Sequence, residues 1–401
     1  MSITSRAPNQ SIPRIIEVVR ARGEVSRRVI AAETGLSTPS VTRLVNELIE
    51  AGLLAVEESI IAEGAGPGRP ASVIKLNPDC ACAIGVDVGE RFIQIALCDM
   101  NGAMKLTSKL PTQATEGGDV TSNAIVNAIA DILEHHRANG GEGASPLRAI
   151  AVGAPGTVDP ATSRVVSAPM IKGWTDFDLK RRLESSFPDV SLRIVNDINA
   201  AAIGEFASGV AKGIDNFVFA SIRRGIGAGI FIDGRLYEGH SGFAGEMGKM
   251  VFDTAFKFSQ SDGLGHLETK CGEDAVVDQA KSRGVILEAK DSSSLPLNVL
   301  ATAAADGDQD AVSILSSFIE QYGLAIANVA SLLDPSIIVL GGDIHPAMEL
   351  VVDQLTASIK ELIPSPPPVV GSSLGDRVCL QGATYQAHKD ACSRLLSCQT
   401  V

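Results

Sequence analysis

The chain has 401 residues, 45% of them hydrophobic and 20% charged, a balance that excludes a disordered polymer and supplies core for two or three domains. Its net charge of −13 excludes nucleic-acid binding over the whole surface, but the charge is uneven. Residues 1–78 hold nine Lys and Arg against eight Asp and Glu, or +1, leaving −14 on the remainder, so one end can meet DNA while the rest repels it.

Aromatics make up only 4%, so the cores are expected to be aliphatic. Seven cysteines, an odd number scattered along a long chain, fit a reducing compartment better than a disulfide framework. The start "MSITSRAPNQSIPRII" has no apolar run long enough for a signal peptide or membrane span, so a cytoplasmic protein is expected.

The first element, "SIPRIIEVVRARG", sets Ile12, Ile15, Ile16, Val18 and Val19 largely on one helical stripe, with Gly23 to stop it. A second helix, "SRRVIAAETG", ends in a tight turn at Gly35. The third starts at Ser37, a natural N-cap with Pro39 in the first turn, and buries Val41, Leu44, Val45, Leu48 and Ile49. Its other face offers Ser40, Thr42, Arg43 and Asn46, short donors beside an Arg that suit a helix entering a major groove.

Two short apolar runs follow, "LLAVEES" and "ASVIKLN", joined by "IIAEGAGPGRP", the pattern of a wing hairpin. Arg69 between Gly68 and Pro70 forms a slim arm suited to a narrow minor groove. Residues 1–78 are therefore expected to form a winged helix-turn-helix that binds DNA, the bland alternative being a small helical interaction domain.

From Cys82 the pattern turns to α/β. A strand ending near Asp87 and Gly89 precedes "RFIQIALCDMNGAM", whose Asn-Gly marks a hairpin turn. A carboxylate before a glycine at a strand end suits metal-phosphate binding and is also common in plain turns. "AIAVGAPGTVD" is a strand running into Pro155 and Gly156, and "LRIVNDINAAAIGE" is a strand, then Asn196 and Asp197, then an alanine-rich helix. The positive end of that helix favours an ionised Asp197, which can accept a hydroxyl hydrogen bond or act as a base; a plain helix N-cap is the alternative.

"FVFASIRRGIGAGIFIDGRLYEG" gives two strands joined by Gly225, Gly227 and Gly229, glycines that let backbone N–H groups approach a phosphate. A strand follows them instead of a helix, which excludes a Rossmann motif. "AIANVASLLDPSIIVLGGD" adds a buried helix, a strand and a Gly341-Gly342 turn.

These motifs, with "GFAGEMG" and "GHLE" in order between them, resemble the ROK family, named for repressors, open reading frames and sugar kinases. The resemblance implies an α/β fold: the winged helix-turn-helix (1–78) on a two-lobed, actin-like ATPase (sugar-kinase-like) body. The first lobe spans 79–198, with a C-terminal helix at about 383–401 returning to it, and the second, 199–382, carries the effector pocket and a dimerisation surface. Asn196, Asp197, Glu246 and Glu268 match positions that bind sugar hydroxyls, and Gly156 and Lys249 complete the expected effector site.

Asp87, Gly89, Gly225, Gly227 and Gly229 match nucleotide-binding positions, but "DVGER" puts Glu90, which repels phosphates, and bulky Arg91 in the phosphate loop. A structural zinc held by one His and three Cys in the family would here meet His266, Lys249, Ser259 and Ser261, so no metal and no cofactor are expected. Cys271 is nearby but out of register, and Met170 stands where the family places a sugar-contacting Asn. The resulting expectation is a DNA-binding regulator, a repressor, that is not an enzyme. It would work as a homodimer or homotetramer on operator DNA and answer to a sugar or sugar derivative. A sugar kinase using Asp197 as base, and a ligand-free dimerisation scaffold, stand as the alternatives.

Overall fold

The computed structural model describes residues 11–58, 72–140, 145–223, 225–258, 264–287, 296–342 and 347–397. The head is α1 (Ser11–Arg22), α2 (Arg27–Thr34), α3 (Thr38–Glu50) and the antiparallel pair β1 (Leu54–Glu58) and β2 (Ser72–Leu76). Gly35 ends α2 at φ +70°, a left-handed turn that glycine adopts without strain, and Ser37 caps α3. The wing tip with Arg69 lies outside the described residues.

The first lobe begins with a meander of β3 (Cys82–Val88), β4 (Phe92–Asp99) and β5 (Met104–Pro111), followed by α4 (Gly118–Gly140) and β6 (Leu147–Ala154). A small three-stranded sheet, β7 (Thr157–Val158), β8 (Val165–Ser167) and β9 (Thr175–Phe177), leads through α5 (Leu179–Ser186) to β10 (Ser191–Asn196). Then α6 (Asp197–Ser208) carries the chain into the second lobe.

There β11 (Phe217–Ile222), β12 (Ile226–Ile232) and β13 (Arg235–Leu236) form a second meander, and α7 (Glu268–Cys271), α8 (Glu273–Ser282), α9 (Pro296–Ala305) and α10 (Gln309–Leu333) follow. The lobe closes with β14 (Ile337–Gly342), α11 (Met348–Leu362) and β15 (Val369–Gly371), and α12 (Val378–Ser397) ends the described chain. The strand orders β5-β4-β3-β6-β10 and β13-β12-β11-β14-β15 are one topology used twice, a meander extended on one side by two parallel strands.

Each lobe has its own, mostly aliphatic core. Val86, Ile95, Ile150 and Trp174 pack with Ile125 and Ile129 of α4 in the first, and Val218, Ile338 and Leu340 with Ile314, Phe318 and Leu355 in the second. Between the lobes α6 crosses α12, and the alanines predicted after Asp197 explain how closely. A methyl group on Gly382 would overlap the Ala200 carbonyl oxygen, and one on Gly204 would overlap that of Val378. The C-terminal helix starts at Val378 and not at about 383, because Val378 and Cys379 are themselves buried against Ala200, Ala201 and Phe219.

The far end of α12 reaches the head. One apolar cluster joins Ile15, Val19, Val45, Leu54 and Ile74 to Ala83, Cys98 and Met100 of the first lobe and to Ala387, Ala391 and Leu395 of α12. The His388 ring nitrogen Nε2 lies 3.0 Å from the Met100 carbonyl oxygen, and Arg193 of β10 donates twice to Asp390, at 2.7 and 3.2 Å. Among the described residues no helix is long and apolar enough to cross a membrane.

Candidate functional site

The floor of the site is the step from β10 into α6. Asn196, and not Asp197, is the N-cap: its Oδ1 accepts the Asn199 N–H at 2.9 Å while its Nδ2 donates to the Gly156 carbonyl at 2.7 Å. Asp197 is thereby left as the first helical residue, with Oδ1 accepting from Ile198 N at 3.0 Å and Asn196 Nδ2 at 3.1 Å. Gly156, at φ +79°, braces Asn196 through its carbonyl, and a side chain there would overlap the Ser167 carbonyl.

The helix terminus favours the ionised form of Asp197, and burial works against it. Desolvation pushes this carboxyl up to about 6, opposed by the nearby Arg223 cation and reinforced by the charge of Asp87. A carboxyl with these properties can accept a sugar hydroxyl or take its proton.

The second lobe supplies the other acids from two glycine-rich loops. Gly245 offers its carbonyl to the Ala228 N–H at 2.7 Å, and this bond seats the 242–250 loop on β12. Gly242 in turn lies against the Val158 carbonyl and Pro160 of the first lobe. Glu246 is partly exposed and pairs with Lys249, Nζ to Oε2, at 3.4 Å, so the two charges largely cancel. Glu268 opens α7 and accepts the Gly265 N–H at 2.7 Å, with its carboxylate against Gly248 and near Gly225.

Of the residues matched to nucleotide positions, Gly225 is in the β11–β12 turn, but Gly227 and Gly229 lie inside β12. Their missing side chains have a packing reason: a methyl on Gly227 would meet Ile198 Cδ1 at 2.5 Å, and one on Gly229 would overlap Ala202, so both let α6 lie on the sheet. Gly341 and Gly342 likewise end β14 and form no separate turn, with Phe219 under Gly341. Gly89 starts the β3–β4 turn, where Thr112 Oγ1 donates to its carbonyl at 2.7 Å and Glu90 and Arg91 are exposed.

Asp87 is buried within β3, hydrogen-bonded with the thiol of Cys379. Sequence reasoning missed Arg223, Val378 and Cys379, which close the seam beside Asp197. The available signal for Arg223 was a cation two residues before Gly225, at the glycine turn.

The implied zinc does not fit the residues present. Lys249 is an ammonium already paired with Glu246, and His266 is buried with Nδ1 accepting the Phe252 N–H at 3.1 Å and its ring 4.7 Å from that of Phe256. Ser259 and Ser261 lie outside the described residues. Cys271 is buried, its thiol donating to the Leu267 carbonyl, and burial pushes it up to about 12.

In the head, Thr42, Arg43 and Asn46 are exposed along α3, and Ser40 is half-buried with its hydroxyl 2.9 Å from that of Ser37. Arg43 pairs with Glu47 at 2.7 Å. Arg27, which sequence reasoning left out, joins this face by donating to Asn46 Oδ1 at 3.0 Å; the Arg27-Arg28 doublet at the start of α2 was the available signal.

A three-helix head with a wing, fused to a two-lobed body with carboxylates and amides at the seam, defines the class: a transcriptional regulator built on a sugar-kinase scaffold. Comparison with known proteins agrees. Residues 83–390 match the ROK family and residues 13–60 the MarR family. The chain is 27% identical over 350 residues to the xylose repressor of Bacillus spizizenii, covering 87% of this chain and 86% of that one. It is 32% identical over 325 residues to the glucokinase of Streptomyces coelicolor, covering 76% and 97%.

A solved ROK-family transcriptional regulator, described as a homologue of the E. coli MLC protein, superposes with a TM-score of 0.77 at 25% identity over 97% of this chain and 98% of its own. The chain belongs to the ROK family. It is a DNA-binding transcriptional regulator of that family, with a winged helix-turn-helix head on the family's actin-like body.

Proposed function

We propose that the protein is a repressor whose operator affinity is set by a sugar or sugar derivative bound between the lobes at Asn196, Asp197, Glu246 and Glu268. The observation that carries this reading is the path of α12. Its first turn lies beside Asp197, and its last turns share the apolar cluster of the head. A ligand that changes how the lobes meet therefore acts on both ends of one helix, and differential affinity for two lobe arrangements becomes differential affinity for DNA.

Paired hydroxyls suit this acid and amide set, and a ligand lacking one leaves a buried acceptor unpaired. Two heads are needed for a two-fold operator, so the working form is a homodimer or a pair of dimers acting in the cytoplasm. The protein is not an enzyme in this reading, because the exposed Glu90 and Arg91 occupy the first phosphate turn. One observation favours a kinase instead: an Asp197 carboxyl at about 6 is placed to act as a base near neutral pH.

The test is operator binding by fluorescence anisotropy, on sites selected from random DNA, with a panel of pentoses, hexoses and amino sugars. A sugar that shifts operator affinity is expected. Asp197→Asn should weaken that sugar by about 1.5 to 3 kcal/mol in calorimetry and leave sugar-free DNA binding unchanged. Sugar-dependent ATP turnover abolished by Asp197→Asn would replace the regulator by the kinase, and a panel without any effect would remove the sensor.

A further inference from the structure

A sugar-kinase scaffold implies a nucleotide with its divalent cation, which carboxylates and glycine turns would hold. The residues present do not fit them. Arg223, at the end of β11, lines with Asp197, Ser221, Gly342 and Val378 the narrow pocket between the lobes. Asp197 lines this pocket as the first residue of α6, so an acid and an arginine close enough for its charge to act on that acid share one narrow space. Asp87 stands close by, buried against Cys379, the residue after Val378.

The charge of Asp87 raises the Asp197 carboxyl and that of Arg223 lowers it, as expected when two acids share one cation. Two carboxylates brought this close out of water repel each other unless a positive charge lies with them. A guanidinium supplies it permanently, without loss at any working pH. Among the described residues, no three His, Cys, Asp or Glu side chains converge so as to hold a metal ion. The glycines that would cradle phosphate, Gly227 and Gly229, are covered by Ile198 and Ala202.

We propose that Arg223 is a built-in counter-cation, its guanidinium compensating Asp87 and Asp197 across the lobe seam in place of a divalent cation, and thereby barring a metal-bound nucleotide from the cleft. The assignment rests on the regulator reading, since a working kinase needs that place free. Arg223 is then the residue that makes the body independent of metal and nucleotide.

Thermal unfolding of the full chain tests it, with and without millimolar magnesium chloride. The wild type and Arg223→Lys should ignore magnesium. Arg223→Met should melt lower by about 2 °C or more, and magnesium should recover most of that loss by binding the uncompensated pair. Arg223→Met with Asp197→Asn should recover without magnesium, because one of the repelling charges is gone.

Should Arg223→Met fail to fold, a folded double variant supports the assignment and an unfolded one overturns it. An Arg223→Met protein that melts like the wild type overturns it, as does a destabilised one that either magnesium or Asp197→Asn fails to rescue. ATP turnover by the wild type overturns both the regulator and this assignment. A missing magnesium response in Arg223→Met, with a sugar still acting on operator binding by the wild type, overturns the assignment alone.

Discussion

The two lobes share one strand order but have been put to different uses. The first presents carboxylates to the seam, Asp87 from β3 and Asp197 just after its last strand, and holds the head through its sheet and α12. The second presents Arg223 from the equivalent hairpin and carries the loops with Glu246 and Glu268. A repeated scaffold therefore does not mean a repeated role: one lobe is joined to the DNA-binding head and the other carries the loops with Glu246 and Glu268. In the proposed reading, a ligand signal from the second lobe travels to the head through the helices that cross between them.

The sharpest way to break this division is at the crossing. A methyl on Gly382 would overlap the Ala200 carbonyl, which is backbone and cannot rotate away. Gly382→Ala should therefore force α6 and α12 apart and cost about 3 kcal/mol or more in urea unfolding. What remains folded should bind DNA and sugar as unrelated events, with no shift of operator affinity on adding ligand. A variant as stable and as responsive as the wild type would show that the crossing is not the route.

A smaller effect is expected in the head, where only DNA binding should change. Arg43 is exposed and held by Glu47 in a surface pair of little worth, so it is available to DNA. Arg43→Ala should weaken operator binding by about 1 to 3 kcal/mol if it reads a base. If it touches phosphate alone, the salt dependence should instead fall by about one charge. In both cases sugar affinity, measured by calorimetry, should not move. Arg69→Ala is the matching test of the wing.

Much of this comparison was legible in the sequence, and for local reasons. The apolar stripe of α3, the Ser37 cap and the Gly35 turn are set by neighbours within one or two helical turns, and the structure reproduces them. The order of strands and glycine turns gave the body its class. What escaped depends on residues far apart in the chain.

Gly227 and Gly229 looked like a phosphate cradle because the reason for their small size, Ile198 and Ala202, lies about thirty residues away in another element. The helix terminus that favours an ionised Asp197 is local and legible, whereas the burial that raises its carboxyl to about 6 comes from β11, β14 and α12 closing over it. Arg223 was hidden for the same reason: the carboxyl its charge lowers, Asp197, lies in another element, at the start of α6.

The mildest test uses pH to separate the two roles of Asp197, as part of the fold and as part of the site. Its carboxyl lies at about 6 in the folded protein against 3.8 as the ordinary value, so the folded state holds the proton more tightly than the unfolded one. The stability this contributes is complete below about pH 4 and is lost as pH rises through about 6. It is about 1 kcal/mol after allowance for the partial access of water to the group. Sugar binding should have the opposite slope, because a hydroxyl donates to the ionised carboxylate, so affinity should rise as pH passes 6. Asp197→Asn should flatten both slopes. If stability and sugar affinity instead moved in the same direction with pH, the proton on Asp197 would not be what distinguishes the empty cleft from the filled one.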